Sequence, residues 1–163
     1  MKTKSVFNRK FVYLSTLFLF LNFFGLYLGV YFTGDGVPSD WYQTLNKAPW
    51  TPPNWMFGAA WSFIMFCFSF YMTKLSFNYQ YLNKKLIVLY AVQWMLNVHW
   101  NYIFFNQHLT EVGLLIIVAL WLLIGFFTFN FKKELKWVTL LIVPYLIWMT
   151  IATSLNVYIV FNN

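Results

Sequence analysis

KAPWTPPNWMFGAAW, residues 47–61, puts three prolines and three tryptophans into fifteen positions between two long apolar runs. Proline fixes φ and has no backbone N–H, so such a stretch stiffens a connection instead of continuing a helix. Thr51 is expected to cap the helix that follows, and Pro52 suits a first helical position, where a missing N–H costs nothing. The apolar runs on either side make this connection a boundary between two helices. The question becomes what kind of helices they are.

The chain has 163 residues, of which 61% are hydrophobic, 25% aromatic and only 9% charged. A water-soluble domain uses about 25% charged residues to cover its surface. The apolar runs are continuous, whereas a membrane β-barrel would alternate apolar and polar positions. The class is therefore an all-α integral membrane protein. Cys67 is the single cysteine and lies inside an apolar run, which excludes an intramolecular disulfide and suggests no metal cluster. The net charge of +7 is spread between the hydrophobic runs and does not gather in one domain, which speaks against nucleic acid as a partner.

Crossing the hydrocarbon core takes about 20 helical residues. Five runs fit, at about 11–32, 55–74, 85–105, 112–131 and 137–160. The first is too long for a signal-peptide core and has no small-residue cleavage pattern after it, so it reads as a membrane helix. Basic residues alternate between connections. Lys2, Lys4, Arg9 and Lys10 precede the first run; Lys74, Lys84 and Lys85 join the second and third; Lys132, Lys133 and Lys136 join the fourth and fifth. Only Lys47 falls elsewhere. The positive-inside rule then predicts the N-terminus inside, the C-terminus outside and the loop 33–54 outside. An odd number of spans is required, in agreement with five. Gly25 and Gly29 form a GxxxG spacing on the first helix, suited to close approach within the chain or between two copies.

Gln93, Asn97, Trp100 and Phe104 follow at spacings that share one helix face, as do Trp148, Ala152 and Asn156. Counted by helical rise, Trp61, Asn97 and Trp148 fall in the middle and outer half of the bilayer, beneath the proline-rich loop. Unpaired amides are costly in hydrocarbon and should point into the bundle. Indoles and rings with a few amides, and Ala152 leaving space, suit a flat apolar ligand with a polar edge. A plainer reading stands beside this one: interhelical Asn and Gln often bond only a neighbouring helix. Trp41, Trp55 and Trp137 read as interfacial anchors. His99 and His108 read as an interhelical bond and a headgroup-level residue, since no second ligand lies at metal-site spacing. No nucleophile set, carboxylate pair or phosphate loop is present, and no cofactor or metal is expected.

Three stretches, WYQTLNKAPWTPPNWMFGAAW, QWMLNVHWNYIFF and PYLIWMTIATSLNVYIVFN, resemble in order the first-loop, third-helix and fifth-helix motifs of the TspO/MBR family. The resemblance implies a single five-helix domain across 1–163, often a homodimer, in a bacterial inner membrane. It also implies binding of porphyrins such as protoporphyrin IX, with the loop 33–54 as a lid. Matching motif positions give Trp50, Trp61, Met65, Gln93, Asn97, Trp100, Phe104, Trp148, Ala152 and Asn156 as ligand-binding candidates. Trp61 and Trp148 match the tryptophans implicated in light- and oxygen-dependent porphyrin breakdown, which makes them catalytic only if that enzymatic reading holds. A porphyrin sensor is the leading expectation, with the degrading enzyme and a tetrapyrrole transporter as alternatives. Transport is disfavoured by the absence of a repeat or a mid-membrane charge.

Three departures stand out. Lys47 is followed by Ala48 before Pro49, so the lid is expected to bend one residue later than in many members. Met65 stands where many carry a ring. Tyr158 is followed by Ile159, Val160, Phe161, Asn162 and Asn163, none basic, so sterol binding gets little support.

Overall fold

A computed structural model describes residues 9–79 and 83–163; Lys2 and Lys4, used above to orient the chain, lie outside them. The elements run α1 (Arg9–Thr33), α2 (Asp40–Thr44), α3 (Asn54–Asn78), α4 (Lys84–Asn101), a π turn (Tyr102–Asn106), α5 (Thr110–Asn130), α6 (Lys132–Leu135), a 3-10 turn (Lys136–Leu141) and α7 (Val143–Asn162). Among the described residues every regular element is helical. By length and composition α1, α3, α5 and α7 qualify as membrane-crossing helices. α4 is shorter and less apolar, because Lys84, Lys85, Gln93, Asn97, His99 and Asn101 all lie within it.

The proline-rich stretch sets its own boundary. Pro53 disfavours helical geometry at Pro52, so α3 starts only at Asn54, with Pro53 extended at φ −62° and ψ 148° as its N-cap. Thr51 is left outside the helix. Its hydroxyl donates to the Ala48 carbonyl at 2.7 Å and caps nothing in α3. The fifth apolar run is likewise not one helix. The 3-10 turn closes before Ile142, and Pro144 then occupies the first turn of α7, where its missing N–H is harmless.

α1 packs along α3 and α4, α5 packs along α4 and α7, and α3 meets α7. The five long helices thus close a ring in the order α1, α3, α7, α5, α4. The half of the ring nearest the lysine-bearing connections is solid. Phe68 is fully buried, with Tyr145 at 5.4 Å, Phe127 at 6.1 Å and Tyr90 at 6.2 Å between ring centroids. Polar groups in this core are paired across helices. Tyr90 donates to Asn22 Oδ1 at 2.7 Å, Asn22 Nδ2 donates to Ser69 Oγ at 2.8 Å, and Tyr71 donates to the Phe127 carbonyl at 2.7 Å. Each bond satisfies a group that would otherwise be stranded in hydrocarbon. Cys67 is free and buried.

The GxxxG glycines are used inside the chain. A Cβ on Gly25 would sit 2.6 Å from Trp94 Nε1, and one on Gly29 would sit 2.9 Å from Asn101 Nδ2. Their absent side chains let α1 lie against α4, where Trp94 Nε1 donates to the Leu21 carbonyl at 2.9 Å.

Candidate ligand-binding site

Toward the other end the ring opens into a cavity of about 290 Å³. α3 supplies Phe57, Gly58, Trp61 and Ser62, α4 supplies Asn97, Trp100 and Asn101, and α7 supplies Trp148 and Ala152. α1 supplies Gly25, Leu26, Gly29, Val30 and Thr33, and Val37 reaches in from the loop. The wall is mostly apolar, with three indoles and a few amide and hydroxyl groups.

Hydrogen bonding within the wall is uneven. Trp100 Nε1 donates to Asn156 Oδ1 at 3.3 Å, and Asn156 Nδ2 donates back to the Ala152 carbonyl at 3.0 Å. Asn101 Nδ2 donates to the Asn97 carbonyl at 3.1 Å, and the Thr33 hydroxyl lies 3.3 Å from Asn101 Oδ1. Trp148 differs. It is only 6% exposed and its Nε1 has no hydrogen-bond partner among the described residues. A buried donor left unmade costs about 1–3 kcal/mol, so this N–H stands ready for an acceptor. Phe57 meets the Trp148 ring edge-on at 5.6 Å, and Tyr145 meets Trp61 likewise at 5.8 Å.

The ten candidate residues separate by position. Trp61, Asn97, Trp100, Trp148 and Ala152 line the cavity. Asn156 lies behind Trp100 as its acceptor. Met65 and Gln93 are buried one turn deeper, where the ring has closed; Gln93 Nε2 donates to the Tyr145 hydroxyl at 2.9 Å. Phe104 is buried, stacked on Trp100 at 5.3 Å and packed against Gly113 of α5. Its neighbour Phe105 lines the cavity instead. The π turn explains this: the Gln107 N–H reaches back five residues to the Tyr102 carbonyl at 3.0 Å, so the chain takes more residues per turn and the inward face moves by one. Trp50 stays outside the cavity, with its Nε1 donating to Ser154 at 3.1 Å and its ring edge-on to Tyr158. His99 faces outward and bonds the Met95 carbonyl of its own helix, not another helix. Among the described residues no group of His, Cys, Asp and Glu gathers to hold a metal.

The α1 wall went unread in the sequence because glycines, aliphatics and one threonine carry no chemical signature. The GxxxG spacing was the available signal, and it marks the same face.

The loop covers this end of the cavity. Gly34 and Gly36 take φ +61° and +59°, which turns the chain sharply out of α1. Trp41 does not stand as a lipid-facing anchor. It stacks on the His108 ring at 4.1 Å and meets Phe104 edge-on at 5.5 Å. Burial raises the Tyr42 phenol above its ordinary value, so the ring stays neutral beneath the Lys47 ammonium, 5.1 Å from its centroid. Lys47 Nζ also donates to the Tyr42 carbonyl at 3.2 Å and to Gln43 Oε1 at 3.1 Å. Beyond it the Asn46 N–H donates to Asn163 Oδ1 at 2.8 Å, and Asn46 Nδ2 donates to the Asn162 carbonyl at 3.0 Å. The loop is thereby tied to the end of α7.

Comparison with known proteins gives the same answer along nearly the whole chain. Residues 17–161 match the TspO/MBR family. The protein CrtK of Rhodobacter capsulatus is 38% identical over 73% of this chain and 76% of its own length. A tryptophan-rich sensory protein of Cereibacter sphaeroides is 33% identical, over 73% of this chain and 74% of its own. The translocator protein of Bos taurus is 27% identical over 85% of this chain and 83% of its own. The matched span takes in the end of the loop, the cavity walls on every helix and the solid half beneath them, which makes the chain a member of the TspO/MBR family.

Proposed function

We propose that this membrane protein is a sensor or regulator that binds a flat hydrophobic ligand, a porphyrin of the protoporphyrin IX kind, in the indole-walled cavity beneath the loop. The observation that carries the reading is the Trp148 Nε1: a buried donor without a partner on an apolar wall shared with Trp61 and Trp100. A macrocycle brings broad apolar faces for the indoles and polar edges that accept from such a donor. The cavity lies at the small end of the usual range of about 300–1,000 Å³. Its rim at Val30, Gly58 and Ser62 is exposed, so a larger ring would extend between α1 and α3 toward lipid. The sensory relative named above supports a regulatory role. In this reading α4 is the fifth span, the N-terminus is inside, the loop faces out, the membrane is a bacterial inner membrane, and two copies associate.

The test is a titration with protoporphyrin IX that follows tryptophan fluorescence. Saturable quenching is expected in the wild type. Ala152→Phe, which fills the cavity, should raise the apparent Kd about tenfold or more, a loss of about 1.4 kcal/mol. Absent quenching, or an unchanged Kd, sinks the reading.

One observation favours a second reading, in which the porphyrin is also degraded: both candidate redox indoles, Trp61 and Trp148, wall one cavity. Illuminating the aerated complex should then bleach the pigment, and Trp61→Phe should slow this while binding persists. An unchanged pigment spectrum rules it out.

A further inference from the structure

We propose that the opposite end of the bundle carries a second site, specific for one anionic phospholipid, at the seam between α5 and α7. A cavity of about 500 Å³ lies there, larger than the one beneath the loop. Two lysines stand at its mouth, Lys132 and Lys136, and they are placed together by the backbone. The Lys136 N–H closes onto the Lys132 carbonyl. To make that turn Lys136 takes φ +51° and ψ −120°, a conformation that costs a side-chain-bearing residue about 1–3 kcal/mol.

Neither lysine has a carboxylate partner among the described residues. The one acid on this turn, Glu134, is engaged elsewhere: it accepts from the Tyr79 hydroxyl, which raises that phenol above its ordinary value. Two cations are thus held side by side with nothing to neutralise them. Below them the cavity is apolar, walled by Phe129 and Leu146. Trp137, 83% exposed, stands at the rim, where indoles favour the headgroup level. Thr139 supplies the independent sign of a missing ligand. It lines the same cavity, is only 7% exposed, and its Oγ1 has no hydrogen-bond partner among the described residues.

A phosphate diester meets the lysines and the hydroxyl, and the acyl chain meets the apolar wall. A neutral zwitterionic lipid carries its own ammonium and gains less from this pair. A free phosphate has nothing for Phe129 and Leu146. The charge and the apolar cleft together select a lipid that has both.

Native mass spectrometry of the purified protein in detergent tests this, with dioleoyl-phosphatidylglycerol and dioleoyl-phosphatidylcholine as probes. One phosphatidylglycerol should be retained in preference to phosphatidylcholine. Lys132→Gln with Lys136→Gln should weaken it about thirtyfold, at about a tenfold change per 1.4 kcal/mol and about 1 kcal/mol per lysine. Lys84→Gln with Lys85→Gln, at the same end of the bundle, should leave it unchanged. Trp137→Ala, a change at an exposed side chain, should weaken it several-fold and serves if the lysine pair cannot be removed without unfolding. Equal retention of the two lipids overturns the proposal. So do equal losses in both lysine pairs, and displacement of the lipid by millimolar inorganic phosphate.

Discussion

The two halves of the bundle are made from the same kinds of residue and come out differently. Toward the lysine-bearing end, Phe68, Tyr71, Phe127 and Tyr145 meet ring to ring and leave no room. Toward the loop, three indoles meet across an open space. Aromatic content does not distinguish them. Small residues do: Gly25, Gly29, Gly58 and Ala152 all fall in the loop half, on three different helices, where larger side chains would close the gap. A cavity in a greasy bundle is therefore written as absences, and its ligand chemistry as the few donors left facing those absences.

The comparison breaks most visibly at Phe68. Phe68→Ala should cost about 3–5 kcal/mol in a detergent unfolding assay, while porphyrin quenching by the protein that remains folded changes little. A larger effect on binding than on stability would show that the halves are not separate. Gly25→Ala comes next. Its new Cβ meets Trp94 at 2.6 Å, so the α1–α4 seam should loosen by about 1–3 kcal/mol in the same assay, the usual cost of overpacking. The loop half should show a different pattern. Trp148→Phe keeps the ring and removes only the unpartnered N–H. Stability should hold or rise slightly, while porphyrin affinity falls by up to about tenfold, one hydrogen bond's worth. The smallest effect belongs to Asn163→Ala, which removes two side-chain bonds to Asn46. Stopped-flow displacement should show ligand leaving a few-fold faster, for a change of about 1 kcal/mol or less.

Much of this was legible beforehand, and the misses have physical reasons. Continuous apolar runs announced helices in a membrane, and the spacing from Asn97 to Trp100 and from Trp148 to Ala152 put four side chains onto one wall. Spacing reports direction around a helix and says nothing of where the bundle narrows. Met65 and Gln93 point the expected way from Trp61 and Asn97, one turn too deep to reach open space. The α1 wall was silent because Leu26 and Val30 look like any lipid-facing residue until a neighbour is missing. The double proline located the end of the loop correctly while hiding that Thr51 would turn back to Ala48. A helix start depends on the whole dipeptide geometry, not on whether a capping side chain is near.

The π turn at Tyr102–Asn106 carries a last consequence. It holds one residue more than an α turn needs, so the chain there has length to spare. Deleting a residue would let the segment relax to ordinary α-helix with its ladder intact. Everything beyond the deletion would be rotated by about 100° relative to Trp100. Insertions and deletions at this point therefore act as a dial: they re-aim Phe104 and Phe105 over the cavity while Asn97 and Trp100 stay where they are. Relatives that differ in length here would present different ceilings to a ligand above the same floor.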